Sequence, residues 1–362
     1  MSAARDGERI FIKGNEAVAH GALAAGCRCY FGYPITPQND IPELLSSLIP
    51  EAGGEFVQAE SEVAAANMLL GSAACGVRAF TSSSSPGISL MQEAISYMAG
   101  SELPGVIVNM VRGGPGLGDI GPSQGDYFQA VKGGGHGDYR LFVLAPATCQ
   151  EAYDHMIEAF HLAFKYRNPV MVLGDAILGQ MKEPVTAWTP RLGDSLSHDD
   201  TEGAEWRLEG SANRPARLLK SLHLEEGALA THNKKLVAKY KEMEQEVRAE
   251  ECLCEDAELI VAAFGSIGRI VKSTVRHLRD KGHKVGLFRP ITLFPFPTAR
   301  LEAMAVEGKR FLTIEHNTGQ MVEDVRLAIR HHADSAFHGC MPGDLPSPDD
   351  FVHPILNVLE GK

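Results

Sequence analysis

The sequence predicts an α/β fold built on a mostly parallel sheet. From about Lys13 to Leu178, short apolar runs rich in β-formers alternate with Ala-rich stretches of helical periodicity. Such alternation is typical of parallel strands that are connected by helices. A second pattern of strand, turn and helix begins after Asp256. The length of 362 residues suits roughly two to three domains, each with its own core.

The elements of the first unit follow in chain order. A helix over residues 15–26 ends at Gly26, a favourable C-cap, and leads into a short buried strand at residues 29–32. Further strands are predicted at residues 78–81, 106–111, 141–145 and 170–173, and helices at residues 62–75, 87–99 and 149–166. The connectors between these elements carry the distinctive chemistry.

Between about residues 183 and 250 the composition becomes charged and polar, which predicts a connector. In its second half, apolar side chains recur at approximately helical spacing, so we expect a solvated helix packed along one stripe. The stripe consists of Leu229, Leu236, Val237, Tyr240, Met243 and Val247. We therefore predict a first domain at residues 1–190, a charged, partly helical connector at 191–255 and a second α/β domain at 256–362.

Strands are predicted in the second domain at residues 259–264, 285–288 and 311–315. A turn from Gly265 to Gly268 precedes a helix over residues 269–281. Two glycines between a strand and a helix can cradle a phosphate group at the helix N-terminus. The third glycine of a dinucleotide fingerprint is missing, so a structural turn is the favoured interpretation.

The charge and the apolar runs exclude several classes of partner. The formal net charge is −12 and no cluster of Lys and Arg stands out, so nucleic acid is not an expected partner. No run of about 18 apolar residues is present, and the N-terminus lacks the order of a signal peptide. We therefore expect a cytoplasmic protein with no membrane partner.

The seven cysteines include two Cys-x-Cys pairs but no run with the spacing of an iron–sulfur motif. Disulfides are not expected in a cytoplasmic chain. Any iron–sulfur cluster should therefore lie on another polypeptide. Cys252 and Cys254 could contribute to a metal site, but incidental thiols are the favoured interpretation, because a tetrahedral site usually needs four ligands.

Residues 31–37, Phe-Gly-Tyr-Pro-Ile-Thr-Pro, form the most informative connector. Each proline pushes the residue before it, Tyr33 or Thr36, out of the α region, so no helix can run through this segment. A stiff loop therefore follows the strand at residues 29–32. In open α/β sheets, ligands bind at this carboxyl edge.

Two acidic residues, Glu60 and Glu62, precede an apolar, Ala-rich helix. We expect at least one of the two carboxyl groups to lie in a weakly solvated place. Burial favours the protonated form of a carboxyl group, which can then pass its proton to a ring nitrogen. The alternative is an acidic first turn that is stabilised by the helix dipole.

Two further connectors carry groups that suit anions. The hydroxyl groups at residues 81–85 precede a helix, where they either face a polar ligand or cap the helix. Arg112 is followed by a glycine-rich loop and could clamp a substrate carboxylate bidentately. It could equally hold the loop by pairing with Asp119 or Asp126. His136, among glycines, is expected to fix its own loop rather than act in catalysis.

The order of these motifs resembles the α subunit of 2-oxoacid:ferredoxin oxidoreductases, most closely the 2-oxoisovalerate (3-methyl-2-oxobutanoate) type. The resemblance covers essentially the whole chain. One departure is residues 338–344, His-Gly-Cys-Met-Pro-Gly-Asp, where an Arg- and Gly-rich turn is expected. The matching motifs are Gly14-Asn15-Glu16-Ala17, Gly32-Tyr33-Pro34-Ile35-Thr36-Pro37, Glu60-Ser61-Glu62, Ser85-Pro86-Gly87, Arg112-Gly113-Gly114-Pro115-Gly116 and residues 133–140, 167–169, 289–297 and 319–321.

The resemblance implies a pyrimidine-binding thiamine diphosphate domain followed by a transketolase C-terminal-like α/β domain. It implies that Glu62 contacts the aminopyrimidine ring and begins activation of the cofactor. Thr36 and Arg112 are implied to lie beside the thiazolium ring and to hold the substrate carboxylate. The implied cofactor-binding residues are Tyr33, Pro34, Ile35 and Glu62.

The resemblance also implies the partners and the reaction. A β subunit carries the diphosphate site, its Mg ion and a [4Fe-4S] cluster, and γ and ferredoxin-like δ subunits complete the complex. The reaction is oxidative decarboxylation of a branched-chain 2-oxoacid, 2-oxoisovalerate, to acyl-coenzyme A and carbon dioxide, with electrons passing to ferredoxin. The alternative substrate is 2-oxoglutarate, which gives succinyl-coenzyme A. This chain alone is expected to be inactive.

Two other interpretations stay open. A non-catalytic scaffold subunit with a vestigial pocket would need none of Glu62, Thr36 and Arg112, which counts against it. A complete transketolase-like or decarboxylase chain would need a Gly-Asp-Gly segment followed by Asn to hold the diphosphate and its metal. The nearest match, at residues 118–121, has no suitable Asn downstream.

Overall fold

The computed structural model describes residues 6–190 and 205–361, and its parallel sheets with flanking helices confirm the predicted α/β class. Residues 1–5 of the segment assessed for a signal peptide, and residues 191–204 of the predicted connector, lie outside the described residues. The strands are β1 (Arg9–Lys13), β2 (Cys29–Gly32), β3 (Glu55–Gln58), β4 (Ala79–Ser83), β5 (Val106–Val111), β6 (Phe142–Leu144), β7 (Val170–Asp175), β8 (Lys182–Thr186), β9 (Ala249–Cys252), β10 (Leu259–Ala262), β11 (Val285–Pro290), β12 (Thr292–Phe294), β13 (Arg310–Glu315) and β14 (Ser335–Gly339). The α-helices are α1 (Gly14–Ala24), α2 (Asp40–Glu51), α3 (Glu62–Ala74), α4 (Ser85–Gly100), α5 (Tyr127–Lys132), α6 (Cys149–Tyr166), α7 (Ala176–Gln180), α8 (Ala228–Met243), α9 (Gly265–Asp280), α10 (Thr298–Val306), α11 (Met321–Ile329) and α12 (Val352–Leu359).

The largest sheet has seven strands in the order β12-β6-β7-β5-β4-β2-β3. All neighbours are parallel except β12, which pairs antiparallel with β6. Because β5, β4, β2 and β3 are adjacent, the loops after their carboxyl ends lie side by side. These loops carry Arg112, the serine-rich run, Thr36 and Glu62. The strand order therefore assembles the candidate site.

Helices cover both faces of this sheet. Helices α3 and α4 pack on one face and bury Leu69, Ile88 and Met91. Helices α1 and α6 pack together on the other face and bury Val18 and Phe160. Burying one large apolar side chain contributes about 1.5–3 kcal/mol. The sheet is thus a rigid platform for the loops at its edge.

The second sheet has five strands in the order β14-β13-β10-β11-β9, with only β9 antiparallel to its neighbour. Two features join it to the first sheet. Strand β12 follows β11 in the chain yet completes the edge of the seven-stranded sheet. Gln124 Nε2 donates to the Phe264 carbonyl oxygen at 2.9 Å, and Gln124 Oε1 accepts from the His316 N–H at 3.0 Å. The loop after β13 is therefore held against the loops of the first sheet.

The helix predicted to begin at residue 269 begins four residues earlier, at Gly265. The prediction of a separate turn at the glycine pair is wrong, because these residues form the first turn of α9. A Cβ on Gly268 would lie 2.9 Å from Arg289 Cδ. The second glycine therefore makes room for an arginine side chain.

The predicted connector helix is present as α8, but its buried stripe is narrower than predicted. Leu236, Tyr240 and Met243 are buried, whereas Leu229 and Val237 are each 51% exposed. Helical spacing alone does not distinguish these two sets, because Leu229 lies seven residues before Leu236 and Val237 lies three residues before Tyr240. Packing of α8 against the first domain makes the selection.

Two expectations about metals and membranes bear on the described residues. The Cys254 thiol is buried and donates to the Leu287 carbonyl oxygen at 3.1 Å. Within residues 6–190 and 205–361, no group of three or more His, Cys, Asp or Glu side chains is arranged to hold a metal ion. In the same ranges, no helix has both the length and the apolar character needed to cross a bilayer.

We expect the fold to lose stability in acid because one histidine is buried. Burial, with smaller contributions from Arg248 and Arg289, lowers the pKa of His155 on α6 to about 3. An unfolded histidine takes up its proton near pH 6.5, so stability is lost as the pH falls from about 6.5 towards 3. We expect this residue to make the fold about 2 kcal/mol less stable at pH 5 than at pH 7.5.

Denaturant titrations at pH 5 and pH 7.5 would measure this effect in the wild-type protein and in two variants. His155→Leu should remove most of the acid-dependent loss, whereas His277→Leu, at an exposed position on α9, should leave it unchanged. An undiminished loss in His155→Leu would assign the acid sensitivity to other groups.

Candidate active site

The loop after β2 presents its cofactor-binding candidates outward. Tyr33, Pro34 and Thr36 are exposed, and Ile35 is half-buried. Because prolines stiffen the loop, these residues keep their arrangement without packing against the core. They form an exposed surface at the carboxyl edge of the sheet.

The far end of this loop is anchored by polar groups at the start of α1. Asn15 Nδ2 donates to the Pro37 carbonyl oxygen at 2.8 Å and to Asp40 Oδ2 at 2.9 Å. Asp40 also pairs with Lys13, whose Nζ lies 2.7 Å from Oδ1. Burial raises the pKa of Asp40, but the hydrogen bonds from Lys13 and Asn15 outweigh it and hold that pKa below its usual value. The carboxylate therefore stays ionised and the anchor is kept.

A buried hydrogen-bond chain links the same loop to the serine-rich run. Tyr30 Oη and Ser82 Oγ are 2.7 Å apart, and Ser82 Oγ donates to Gln38 Oε1 at 2.6 Å. The Gln38 N–H donates to the Ile35 carbonyl oxygen at 3.2 Å. Leaving one of these buried groups unsatisfied would cost about 1–3 kcal/mol. The chain thus fixes the loop relative to β4.

Glu62 is the buried one of the two acidic residues at the start of α3. It is 7% exposed, whereas Glu60 is exposed. Ser61 caps the helix, because its Oγ accepts a hydrogen bond from the Ala64 N–H at 3.2 Å. The Glu62 carboxylate lies against Gly87, where a Cβ would be 2.8 Å from Oε1. The absence of a side chain at Gly87, in the first turn of α4, therefore leaves room for the carboxylate.

The serine-rich run leaves hydroxyl groups without partners next to this carboxylate. Ser83 and Ser84 are fully buried, and neither Oγ has a hydrogen-bond partner in the described part of the chain. Ser85 Oγ accepts a hydrogen bond from the Arg112 N–H at 3.1 Å. The run thus connects Glu62 on one side with Arg112 on the other.

Arg112 is a buried cation whose side chain donates to backbone oxygens. It is 8% exposed, and its Nη1 donates to the Thr36 carbonyl oxygen at 3.1 Å while Nη2 donates to that of Leu117 at 3.0 Å. Its Nε is buried and has no partner among the residues that the structure describes. Among the described residues, neither Asp119 nor Asp126 forms an ion pair with Arg112, so it holds the loop through backbone oxygens and not through a carboxylate. A buried charge without a counter-charge is costly, so this arrangement favours an anionic ligand.

A cavity of about 390 Å³ lies beside Arg112, between the first-sheet loops and the loop after β13. Ser85, Pro86 and Asp126 line one side and Asn317 lines the other. Burial raises the pKa of Asp126, although hydrogen bonds from Asn109 and Ser85 oppose this. The cavity combines a cation, hydroxyl and amide groups and apolar ring faces. This combination suits a small anion with an apolar body.

Of two further segments singled out in the sequence, one lies outside the cavity and the other forms part of its wall. His136 does not line it, and its backbone oxygen accepts a hydrogen bond from Ser96 Oγ at 2.5 Å. The stretch at residues 338–344 does reach the site. The Gly343 N–H donates to the Pro122 carbonyl oxygen at 3.0 Å, and Pro342 lines the cavity. The C-terminal stretch therefore supplies one wall.

Sequence reasoning missed the residues that brace the site. Gln38 belongs to neither a charged cluster nor a periodic pattern, so no spacing rule selects it, whereas Ser83 belongs to the predicted run of hydroxyl groups and Asp126 is considered only as a partner of Arg112. Asn15 had a usable signal, because it is a polar residue in the first turn of a mostly apolar helix. A polar side chain there needs a partner if it is buried.

These residues fit the aminopyrimidine half of thiamine diphosphate. The ring carries both nitrogen acceptors and an amino donor, and the buried Glu62 carboxylate offers a complementary group. A Cβ atom at position 87 would fill the space beside Gly87. The exposed side chains of Tyr33 and Pro34 add an apolar surface for the ring.

Comparison with known families places both halves of the chain. Residues 20–251 match the family described as pyruvate flavodoxin/ferredoxin oxidoreductase, thiamine diphosphate-binding. Residues 257–351 match the pyruvate:ferredoxin oxidoreductase core domain II. The two matches together span the Glu62 and Arg112 loops and the loop after β13.

Individual relatives agree with this assignment. Ketoisovalerate oxidoreductase subunit VorB of Methanothermobacter thermautotrophicus is 52% identical over 88% of this chain and 89% of its own length. The 2-oxoglutarate synthase subunit KorA of the same organism is 35% identical over 97% of this chain and 99% of its own.

A solved structure supports the same conclusion. The 2-oxoglutarate:ferredoxin oxidoreductase from Magnetococcus marinus, which has 2-oxoglutarate, coenzyme A and succinyl-CoA bound, superposes with a TM-score of 0.83 at 25% identity. The match covers 97% of this chain and 65% of that longer chain. The chain described here therefore belongs to the 2-oxoacid:ferredoxin oxidoreductase family and carries its thiamine diphosphate-binding domain.

Proposed function

We propose that this chain is the α subunit of a complex that oxidatively decarboxylates 2-oxoisovalerate to an acyl-coenzyme A and carbon dioxide. Electrons pass singly through iron–sulfur clusters to ferredoxin. The observation that carries the proposal is the buried Arg112 guanidinium, whose Nε has no partner in the described part of the chain, beside Thr36 and Ser85. A carboxylate is the ligand that such a group lacks.

Glu62 is the catalytic residue in this proposal. Thiamine diphosphate supplies a carbon acid that, once deprotonated, adds to the carbonyl group of a 2-oxoacid. Glu62 exchanges a proton with the aminopyrimidine ring from its position at the start of α3, where neighbouring apolar side chains exclude water. Tyr33, Pro34 and Ile35 support the ring from the loop after β2.

Arg112 and Thr36 hold the carboxylate of the 2-oxoacid. The Thr36 and Leu117 carbonyl oxygens already orient two guanidinium nitrogens, so little side-chain freedom is lost on binding. The Thr36 side chain is exposed on the same loop and supplies a hydroxyl group. The carboxylate then offsets the cost of the buried charge.

The complex needs partner subunits. We infer that a β subunit brings the diphosphate site, the Mg ion and a [4Fe-4S] cluster, and that γ and ferredoxin-like δ subunits complete it. Exposed apolar residues border the site: Tyr33 is 38%, Val63 is 44%, Ile120 is 62% and Leu117 is 81% exposed. Apolar surface grouped around a polar site is typical of an interface.

Relatedness favours the branched-chain substrate. Identity is 52% to a ketoisovalerate oxidoreductase subunit and 35% to a 2-oxoglutarate synthase subunit. The described cavity residues include one arginine and no lysine, and Asp126 adds an acidic group. A second carboxylate on the substrate would meet no further cation among the cavity residues that the structure describes. 2-Oxoglutarate is therefore the alternative substrate, for which the partner would have to supply that cation.

A substrate panel on the co-purified complex tests the proposal. Viologen reduction would be measured with coenzyme A, thiamine diphosphate and, in turn, 2-oxoisovalerate, 2-oxoglutarate and pyruvate. We expect the highest kcat/KM with 2-oxoisovalerate. Preference for 2-oxoglutarate would keep the reaction class but overturn the substrate, and no reduction with any acid would favour a non-catalytic scaffold.

A further inference from the structure

We propose that Ser83 is a positioning residue for Glu62 and that it acts across Gly87. This inference rests on the proposed function, since it assigns Ser83 to the carboxylate that meets the cofactor. It concerns a side chain at the end of β4, which is separated by the single strand β2 from β3, the strand that precedes Glu62.

Gly87 brings the two oxygen atoms close together. A Cβ on this glycine would lie 2.1 Å from Ser83 Oγ and 2.8 Å from Glu62 Oε1. The two oxygens therefore cannot be more than about 4.9 Å apart, the sum of these distances. We expect a change of side-chain torsion at either residue to bring them within hydrogen-bond distance.

The Ser83 hydroxyl has no other use in the fold. It is fully buried and has no hydrogen-bond partner in residues 6–190 and 205–361. Buried hydroxyl groups are normally paired, because leaving one unpaired costs free energy. The Glu62 carboxylate, whose Oε1 lies within about 4.9 Å of Ser83 Oγ, gains from a donor because it accepts hydrogen bonds through both oxygens.

A hydrogen bond from Ser83 to one carboxylate oxygen would turn the other oxygen towards the cofactor. Hydrogen bonds to charged groups are among the stronger ones in proteins. Gly87 is required for this contact, because any side chain there would occupy the space between the two oxygens. Ser83 thus orients the proton-transferring group without touching the substrate.

Three variants of the assembled complex test the role. Ser83→Ala should lower kcat by about tenfold or more, the effect of losing a hydrogen bond to a charged group, and should leave KM for the 2-oxoacid within about twofold, because Arg112 is unchanged. Ser83→Thr keeps the hydroxyl and should restore most of kcat. Thr81→Val is the matched control, since Thr81 also has a buried, unpartnered hydroxyl and lies two residues earlier on the same face of β4.

A second measurement separates positioning from general damage. The exchange of the thiazolium proton of bound thiamine diphosphate for deuterium, followed by NMR after acid quench, should be about tenfold slower in Ser83→Ala. Cofactor affinity, measured by equilibrium dialysis, should stay within about twofold of the wild-type value.

Unchanged exchange in Ser83→Ala, or equal slowing in Thr81→Val, would overturn the role of Ser83. The proposed function can fail separately. If the wild-type complex exchanges the proton but oxidises none of the 2-oxoacids, the reaction is wrong while the exchange rates still decide the role of Ser83.

Discussion

Glu62→Gln is expected to reduce turnover of the assembled complex by at least about a hundredfold, the lower range for loss of a general acid–base group. Glutamine keeps the size and hydrogen-bonding shape of the side chain but cannot exchange a proton. The buried position against Gly87 should accommodate it without repacking. Steady-state viologen reduction at saturating 2-oxoacid measures the loss directly.

Glu60→Gln is the matched control for this substitution. Glu60 lies two residues earlier on the same segment, but its side chain is exposed. We expect its turnover to stay within about twofold, because exposed substitutions away from the site have small effects. Co-purification should show that both variants assemble. Wild-type turnover in Glu62→Gln would remove this carboxylate from the mechanism.

Arg112→Ala is expected to raise KM for every 2-oxoacid by about a hundredfold or more. Removing one partner of a buried, hydrogen-bonded charge pair costs about 2–5 kcal/mol, which corresponds to this range. Because Nη1 also binds the Thr36 carbonyl oxygen at 3.1 Å, some loss of kcat should accompany the change. KM measured for 2-oxoisovalerate and pyruvate under the same conditions would test the effect.

Arg112→Lys distinguishes charge from geometry. Lysine keeps the positive charge but cannot hold two carbonyl oxygens and a carboxylate at once. We therefore expect an intermediate KM. Arg140→Ala, at an exposed arginine that stacks near Phe294, should leave KM unchanged. If KM in Arg112→Ala equals the wild-type value, Arg112 only braces the loops through its bonds to Thr36 and Leu117.

The sequence was most informative where a covalent constraint or a strong pattern acts. The two X-Pro steps at residues 33–37 predict the loop after β2, because proline excludes a helix regardless of the surroundings. Strands β2 and β5 have the predicted bounds, as does α6. The meeting of Thr36 and Arg112 also follows from their positions after strands of one sheet.

The sequence was less informative where tertiary contacts decide. Strands β1 and β8 pair only with each other, at residues more than a hundred positions apart, and β12 joins a sheet that is formed by the other half of the chain. Neither has a local signal beyond a short polar or apolar run. Similarly, the fully buried Gln38 depends on Ser82. A polar residue next to a loop predicts exposure until its partner is known.

The most direct test of the account is reconstitution. Partner subunits prepared without this chain would be titrated with it, and 2-oxoisovalerate-dependent viologen reduction would be recorded with thiamine diphosphate and coenzyme A. We predict no turnover without the chain, a rise that saturates once every partner complex carries it, and no rise with the Glu62→Gln chain. Full turnover without this chain, or equal restoration by the Glu62→Gln chain, would contradict the claim that it supplies half of the active site.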